Sequence, residues 1–564
     1  MKFTKILTTA FVALGATLAL SGCIRETFPK ESAITEGQLM TGETSVILER
    51  LLPGIHAGLT ATAGAYDHND YGYFSLGVNH DFECKNCVTN GWMFGISPYY
   101  NRFHPADFAL GYAPNSLMSA WSWMTYYPTI RSCNYIIHLA GDNEEYAFYR
   151  GTAKAYRAML YLDLARLFEP LYAESKNSGY EDGVFEALGL TVPIVDESYV
   201  GDEGEELAKN NPRATREEIF NFIFADLADA EACLDGVAQQ KPFYPTAAVV
   251  YGLYARAYMW LACEDFVSDG LNGEHPTGNA AYQLAREYAR KSLQTSGGAI
   301  MTKNEWTNTT TGFNTVASSW MLSLVTSSET VISNLHQHPA HLSPEAIYGY
   351  ATYTHPGVSK LVYDELNDSD YRKALIKGPE TTYAEFKQYT SLDESSFDQF
   401  APYTFFKFRP GNASHTDSTV GGAVALPIMR CEEMYFIEME ATYHIDGDAA
   451  ARDLLVSFVK NRDSNYVCYK TGEDVLSEII FQKGFEFWGE GIILFDMKRL
   501  DMGVTCSFDG SNYYNDGQFN SEGRLPWWTY CIPQSELERN AGIDVNNPDP
   551  TQGLKPGNSD SSSL

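Results

Sequence analysis

Glu486 and Glu490 stand four residues apart in "EFWGEGIILFDMKRL" (486–500), a spacing that brings two side chains to one face of a helix. A carboxylate pair is the working centre of a glycoside hydrolase, provided both groups project into an open cleft. The neighbours argue against that. Phe485, Phe487, Trp488, Ile492, Ile493 and Phe495 describe a buried helix. On such a helix Glu486, Glu490, Asp496 and Arg499 read as structural ion pairs, with Arg499 reaching a carboxylate three residues back. Cys84 and Cys87 have C-x-x-C spacing, but no second pair completes a zinc site, leaving a local disulfide or two free thiols. His336, His338 and His341 in "HQHPAH" would put two imidazoles on one side of an extended chain, yet no nearby Cys or carboxylate completes a metal set. "DGSNYYNDG" (509–517) offers oxygen ligands without EF-hand spacing or a closing bidentate Glu. It reads as a polar turn. No cofactor is expected, a structural calcium at this turn being the exception the oxygen ligands leave open. H-E-x-x-H, G-x-S-x-G and P-loop patterns do not occur.

A different grouping has no catalytic look. "GWMFGISPYYNRFHP" (91–105) carries Trp92, Phe94, Tyr99, Tyr100 and Phe103 between Gly, Pro, Asn and Ser, with no apolar period for a helix or a strand. It reads as a loop furnished with rings.

The N-terminus fixes a compartment. Lys2 and Lys5 precede an apolar run from Ile6 to Leu20, then Leu20-Ser21-Gly22-Cys23. Residues 1–22 are expected to be a secretory signal peptide, with Cys23 the lipid-bearing first residue of a bacterial lipoprotein. Several acyl chains give stable attachment to a membrane that the protein does not cross. Residues 23–43 form a tether. The formal charge of −32 excludes nucleic-acid binding and disfavours strongly anionic ligands. Several remaining cysteines fall in helical patterns as small buried residues. From 541 to 564 the chain is rich in Asn, Asp, Pro, Gly and Ser and reads as an extended or disordered tail.

The elements that position these groups are mostly helical. Segments 150–168, 215–234, 245–262 and 281–293 repeat small residues once per turn beside large ones, as in Ala248, Gly252 and Ala255 next to Tyr251 and Leu253. Thr215 and Glu218 form a capping box. This is the packing of closely approaching antiparallel helix pairs, without the strict 34-residue tetratricopeptide consensus. Trp121 and Trp123 belong to helix packing. From 297 to 425 the composition turns to Thr, Ser, Gly, Tyr and His, giving loops and short strands such as 318–325 and 329–335. Helical pattern returns over 429–445, 448–462 and 474–500.

Five stretches occur in a recognisable order: the Cys23 motif, "GTAKAYRAMLYLDLARLF", "RCEEMYFIEMEA" (430–441), "EFWGEGIILFDMKRL" and "IPQSELERN" (532–540). Together they resemble the SusD/RagB family of outer-membrane nutrient-binding lipoproteins, from Cys23 to Asn540. The chain departs from the family pattern at Ile493, where an Arg is usual, and at Asn546-Asn547-Pro548-Asp549, where Gln-Asn-Pro-Gly is usual. The resemblance implies a mainly α fold: an irregular helical bundle of about four tetratricopeptide-like helix pairs with a loop-rich insert containing short strands. It makes 44–540 one domain, with its ligand-binding part near 65–116 and 297–425. It further implies a lipid-anchored protein on the cell-surface side of the outer membrane, which binds oligosaccharide or polysaccharide and delivers it to a SusC-like TonB-dependent barrel without catalysis. Peptide cargo on the same fold is the alternative; a secreted glycoside hydrolase is the alternative of another class.

Sugars offer flat C–H patches and a rim of hydroxyls, so a binding protein lays rings on the former and polar groups against the latter. Each stacked ring is worth on the order of 1 kcal/mol, and loops on a rigid scaffold are where such surfaces sit. The candidate platforms are Trp92, Tyr99 and Tyr100, with Asn101, Arg102 and Asp81 as hydroxyl partners. In the central segment they are Trp306, Trp320, Tyr348, Tyr350 and Tyr353. Phe94 and Phe103, lacking a polar tip, are assigned to burial.

Overall fold

The computed structural model describes residues 42–60, 113–115, 117–171, 184–262, 272–329, 338–349, 351–513 and 518–550. Two units meet in sequence after Leu51. The described part of the first opens helix α1 (Thr44–Thr60), and everything below concerns the second, Leu52–Leu564.

Small residues set the helix packing, as their spacing predicts. Helices α2 (Leu117–Ala140), α3 (Ala147–Phe168) and α4 (Arg216–Leu234) pack in succession. A Cβ on Gly151 of α3 would come within 2.4 Å of the Cys233 Cβ of α4, so only glycine permits that approach. Thr215 caps α4: its hydroxyl accepts from the Glu218 amide at 3.2 Å, and the Glu218 carboxylate accepts from the Thr215 amide at 2.8 Å. Helix α5 (Ala247–Leu261) packs on α6 (Gly278–Ser296), which ends at left-handed Gly297. Trp121 and Trp123 are buried on α2, as expected of packing residues.

The loop-rich part follows. Strand β1 (Trp320–Val325) realises the predicted short strand and pairs antiparallel with β2 (Ala425–Arg430), Leu324 opposite Leu426, with register irregularities near Leu322. Between them lie short helices, including α7 (His338–Leu342) and α8 (Ala351–Thr354), over a small core of Phe386, Leu392, Phe397, Phe400 and Phe406. The predicted run at 329–335 lies almost wholly outside the described residues. Helices α9 (Cys431–Asp446), α10 (Asp448–Val459) and α11 (Glu473–Glu486) then close a second core around Phe436, Phe458 and Phe487.

Two expectations are corrected. The single helix read over 474–500 is broken, because Gly489 and Gly491 take φ of 80° and 71°, and a separate helix α12 (Ile493–Arg499) follows. The tail is irregular but, over 541–550, not loose: Asn547 is 3% exposed and bonded on three sides. Residues 551–564, like the signal and most of the tether, lie outside the described residues. Among the described residues no helix is long and apolar enough to cross a membrane.

The last carbonyls of α3 show why distant motifs travel together. A helix end leaves four carbonyls without intrahelical partners. Here the Lys498 ammonium of α12 donates to the carbonyls of Arg166, Leu167 and Glu169 at 2.8, 3.3 and 2.9 Å. The Phe168 carbonyl accepts from Asn547 Nδ2 at 2.5 Å and from Arg213 at 3.3 Å. The helix "GTAKAYRAMLYLDLARLF" is therefore finished by Arg213 and by Lys498 and Asn547, the last two more than 300 positions later.

Candidate functional site

The carboxylate pair belongs to the scaffold. Glu486 is fully buried, and both its oxygens are filled by arginines: Oε1 by Arg430 (2.8 Å) and Arg462 (2.9 Å), Oε2 by Arg372 (2.9 Å) and Arg462 (3.0 Å). The turn at Gly489 and Gly491 delivers Glu490 to Lys407 Nζ (2.6 Å) and Arg430 Nε (2.9 Å). Glu432 and Asp370 complete a network of four cations and four carboxylates. The surrounding guanidiniums hold the Glu486 carboxyl well below its ordinary value against the opposing effect of burial, while burial pulls Lys407 down to about 8. A catalytic acid needs a raised pKa and a path to substrate; Glu486 has neither. Asp496 behaves likewise, bonded to Arg499 at 2.8 Å, three residues on as predicted, and to Lys483 at 2.7 Å.

The histidine and calcium readings lie partly outside the described residues, which exclude His336 and 514–517. His338 is 1% exposed, packs edge-on against Phe408 at 4.5 Å, and is lowered to about 3 by burial. His341 is buried on the same short helix, and His336 lies outside the described residues. Asn512, in the calcium-like turn, spends its side chain on the Lys360 amide and the Val358 carbonyl. Among the described residues no three His, Cys, Asp or Glu side chains converge as metal ligands.

Two of the predicted platforms are corrected. Trp306 is fully buried, edge-on to Phe313 at 4.6 Å with Lys407 over its ring. Trp320 is 5% exposed, its indole N–H directed to Met301 Sδ at 3.3 Å. Both line the core beside the charge network and present no face to a ligand. Cys23, Asp81, Trp92, Tyr99, Tyr100, Asn101, Arg102 and Tyr350, together with Phe94, Phe103, Cys84 and Cys87, lie outside the described residues.

Tyr348 and Tyr353 remain on an accessible segment. Tyr353 is 59% exposed and Tyr348 half-buried, with Ile347, which sequence reading did not single out, 43% exposed beside them. The segment is pinned on three sides. Glu345 is buried, ion-paired with Arg409 at 2.9 Å, and accepts from Thr390 Oγ1 (2.6 Å) and the Ser391 amide (2.8 Å). The Glu345 carbonyl bonds His415 Nδ1 at 2.9 Å. His355 Nδ1 accepts from the Ala401 amide at 3.1 Å, which leaves Nε2–H to donate to the Thr352 carbonyl at 2.9 Å. The tip of Tyr348 lies over Gly421, where a Cβ would come within 2.5 Å of the hydroxyl, and burial and Asp417 raise its pKa. Gly349 lets the turn fold back on α7, since its Cβ would meet the Ala340 backbone at 2.4 Å. Gly349→Ala is therefore expected to lower stability by the ~1–3 kcal/mol typical of overpacking, read as a drop in the denaturation midpoint. A second exposed ring that the sequence reading missed, Tyr469, is 87% exposed between α10 and α11.

Comparison with known proteins converges on one family. Residues 290–549 match the model of the SusD family. No curated protein matches the chain. A SusD-like carbohydrate-binding protein from Bacteroides vulgatus shares the fold with TM-score 0.65 at 19% identity, over 89% of this chain and 98% of that one. A SusD superfamily protein from Parabacteroides distasonis does so at TM-score 0.63 and 17% identity, over 90% and 99%. Surface glycan-binding protein A from Bacteroides thetaiotaomicron, solved with laminarihexaose, gives 0.59 and 16%, over 89% and 98%. At these identities the structures speak for the fold, and the family model speaks for the C-terminal motifs that meet at Glu486. Residues 290–549 are thus similar to the SusD family, and the chain has the fold of the solved SusD-like structures.

Proposed function

We propose that this protein is a surface-exposed, lipid-anchored glycan-binding protein that holds oligosaccharide by stacking and hydrogen bonding and passes it intact to a SusC-like TonB-dependent barrel. The observation that carries the reading is the SusD-like fold, shared with carbohydrate-binding proteins, together with the exposed Tyr353 on its pinned loop segment. The anchoring Cys23 and the platforms Trp92, Tyr99 and Tyr100, with Asn101, Arg102 and Asp81 at the rim, complete the proposal, and Tyr350 extends the Tyr348–Tyr353 set. The acidic chain favours neutral glycans over anionic ones.

Native gels cast with neutral polysaccharides test the binding face. Tyr353→Ala, Trp92→Ala and Tyr100→Ala are each expected to weaken retardation about fivefold, the equivalent of ~1 kcal/mol for one stacked ring. Unchanged retardation in all three would place the platform elsewhere. Co-purification of a barrel from mildly solubilised membranes tests delivery, and its absence would count against the transporter role.

A further inference from the structure

The stretch between α10 and α11 alternates. Tyr466 belongs to the core around Phe436 and Phe458, and Cys468 packs against that core. Val467 and Tyr469 point the other way, 53% and 87% exposed. Inward and outward residues with a period of two describe an extended chain, and no strand of the described residues pairs with it. A β-branched and an aromatic residue on the outer face are the types that sheets favour.

Both ends are fixed. The Tyr466 hydroxyl donates to Glu478 Oε1 at 2.7 Å, and its amide to the Asp463 carbonyl at 3.1 Å. Lys470 Nζ donates to Glu478 Oε2 at 2.6 Å and to Glu365 at 3.1 Å, and its carbonyl accepts from Arg452 at 3.1 Å. The Gly472 amide donates to Asp448 Oδ2 at 2.8 Å. Between these ties, the backbone N–H and C=O groups of Val467, Cys468 and Tyr469 make no hydrogen bond among the described residues. In an extended chain, residues two apart turn their backbone groups to the same edge. Val467 and Tyr469 therefore offer one edge with donors and acceptors already held in place, which lowers the ordering cost of pairing. Charge selects the partner. Glu365, Asp448, Glu473, Asp474 and Glu478 touch or follow the stretch, against Arg452 and Lys470.

We propose that the 467–469 edge docks an extended segment of a partner protein, added as an antiparallel strand. That segment carries β-branched or aromatic residues at alternate positions, flanked by lysine or arginine. The residues opposite Val467 and Tyr469 pack across the strands against those side chains. The free backbone groups are paired, and the flanking cations face the surrounding carboxylates. The inference concerns a protein partner and does not rest on the glycan reading.

A fluorescein-labelled peptide, Lys-Thr-Val-Thr-Val-Thr-Lys, is the probe, followed by fluorescence anisotropy. It is expected to bind saturably. A copy with both valine nitrogens methylated keeps every side chain but loses the donors to this edge, and is expected to bind roughly tenfold more weakly. Glutamate in place of both lysines is expected to weaken binding as well. Tyr469→Ser is expected to weaken it up to about fivefold, with an unchanged denaturation midpoint. In hydrogen exchange the bound probe is expected to slow the amides of Val467 and Tyr469 and to leave that of Cys468, on the opposite edge, unchanged. A probe that does not bind, equal binding of the methylated copy, or unchanged exchange at 467 and 469 overturns the proposal. So does a concentration-dependent dimer lost in Tyr469→Ser, which would give the edge to a second copy of the chain, or protection of the same amides by a neutral oligosaccharide.

Discussion

Glu486→Gln is expected to remove most or all of the folded protein, at a cost of about 3–5 kcal/mol, the range for breaking a buried ion pair from one side. The substitution keeps shape and volume. It replaces one acceptor oxygen by an NH₂ group where every neighbour, from Arg372, Arg430 and Arg462, is already a donor. Three guanidiniums, each 2% exposed or less, would then share one amide oxygen. Urea denaturation and soluble yield measure the effect. Glu206→Gln, in a surface pair with Lys209 that leaves both side chains mostly exposed, should leave the midpoint unchanged. Equal midpoints for both variants would show that the network does not hold the C-terminal motifs together.

The same group sets a pH dependence. Its folded pKa lies well below the ordinary 4.5, so its stabilisation is fully present above that value. It is lost progressively as pH falls from about 4.5 toward the depressed folded pKa, by at most ~1.4 kcal/mol per pH unit from this one carboxyl. Acid titration of the denaturation midpoint should show that decline begin below about pH 4.5.

Asn547→Leu is the second large effect. Asn547 Nδ2 donates to the carbonyls of Phe168 and Tyr530, at 2.5 and 2.7 Å, and its Oδ1 accepts from Arg213 at 2.9 Å. Leucine fills a similar volume and leaves the Tyr530 carbonyl and one Arg213 N–H without those partners. Each buried polar group so stranded costs roughly 1–3 kcal/mol, which puts the variant at about 3 kcal/mol. The loss should appear in the denaturation midpoint, and hydrogen exchange should report earlier opening at the C-terminal end of α3. A variant with wild-type protection there would mean that the 541–550 segment only lies against the fold.

Local signals in the sequence carried the helices well. The Thr215–Glu218 box, the Ala and Gly stripes and the short strand at 318–325 act over a few residues and are visible as spacing. Partners far along the chain were not. Trp306 sits in polar "KNEWTNTTTG" and reads as exposed, yet Phe313, Lys407 and Arg462 enclose it. Asn547 lies in a stretch with the composition of a loose tail, and only its bonds to residues 168, 213 and 530 explain its burial. The break at Gly489 and Gly491 was written in the sequence as two glycines, but the apolar residues on either side hid it. Tyr353 is exposed, as a ring proposed for binding must be, while the exposure of Ile347 and Tyr469 carried no signal beyond their type.

Equilibrium dialysis of the unmodified protein against labelled neutral oligosaccharides, with the ligand recovered and sized afterwards, bears most directly on the claim that this chain holds sugar and performs no chemistry on it. Saturable retention, with every recovered molecule at its original length, is the expected result. Shortened products, or no retention of any neutral oligosaccharide, would contradict it.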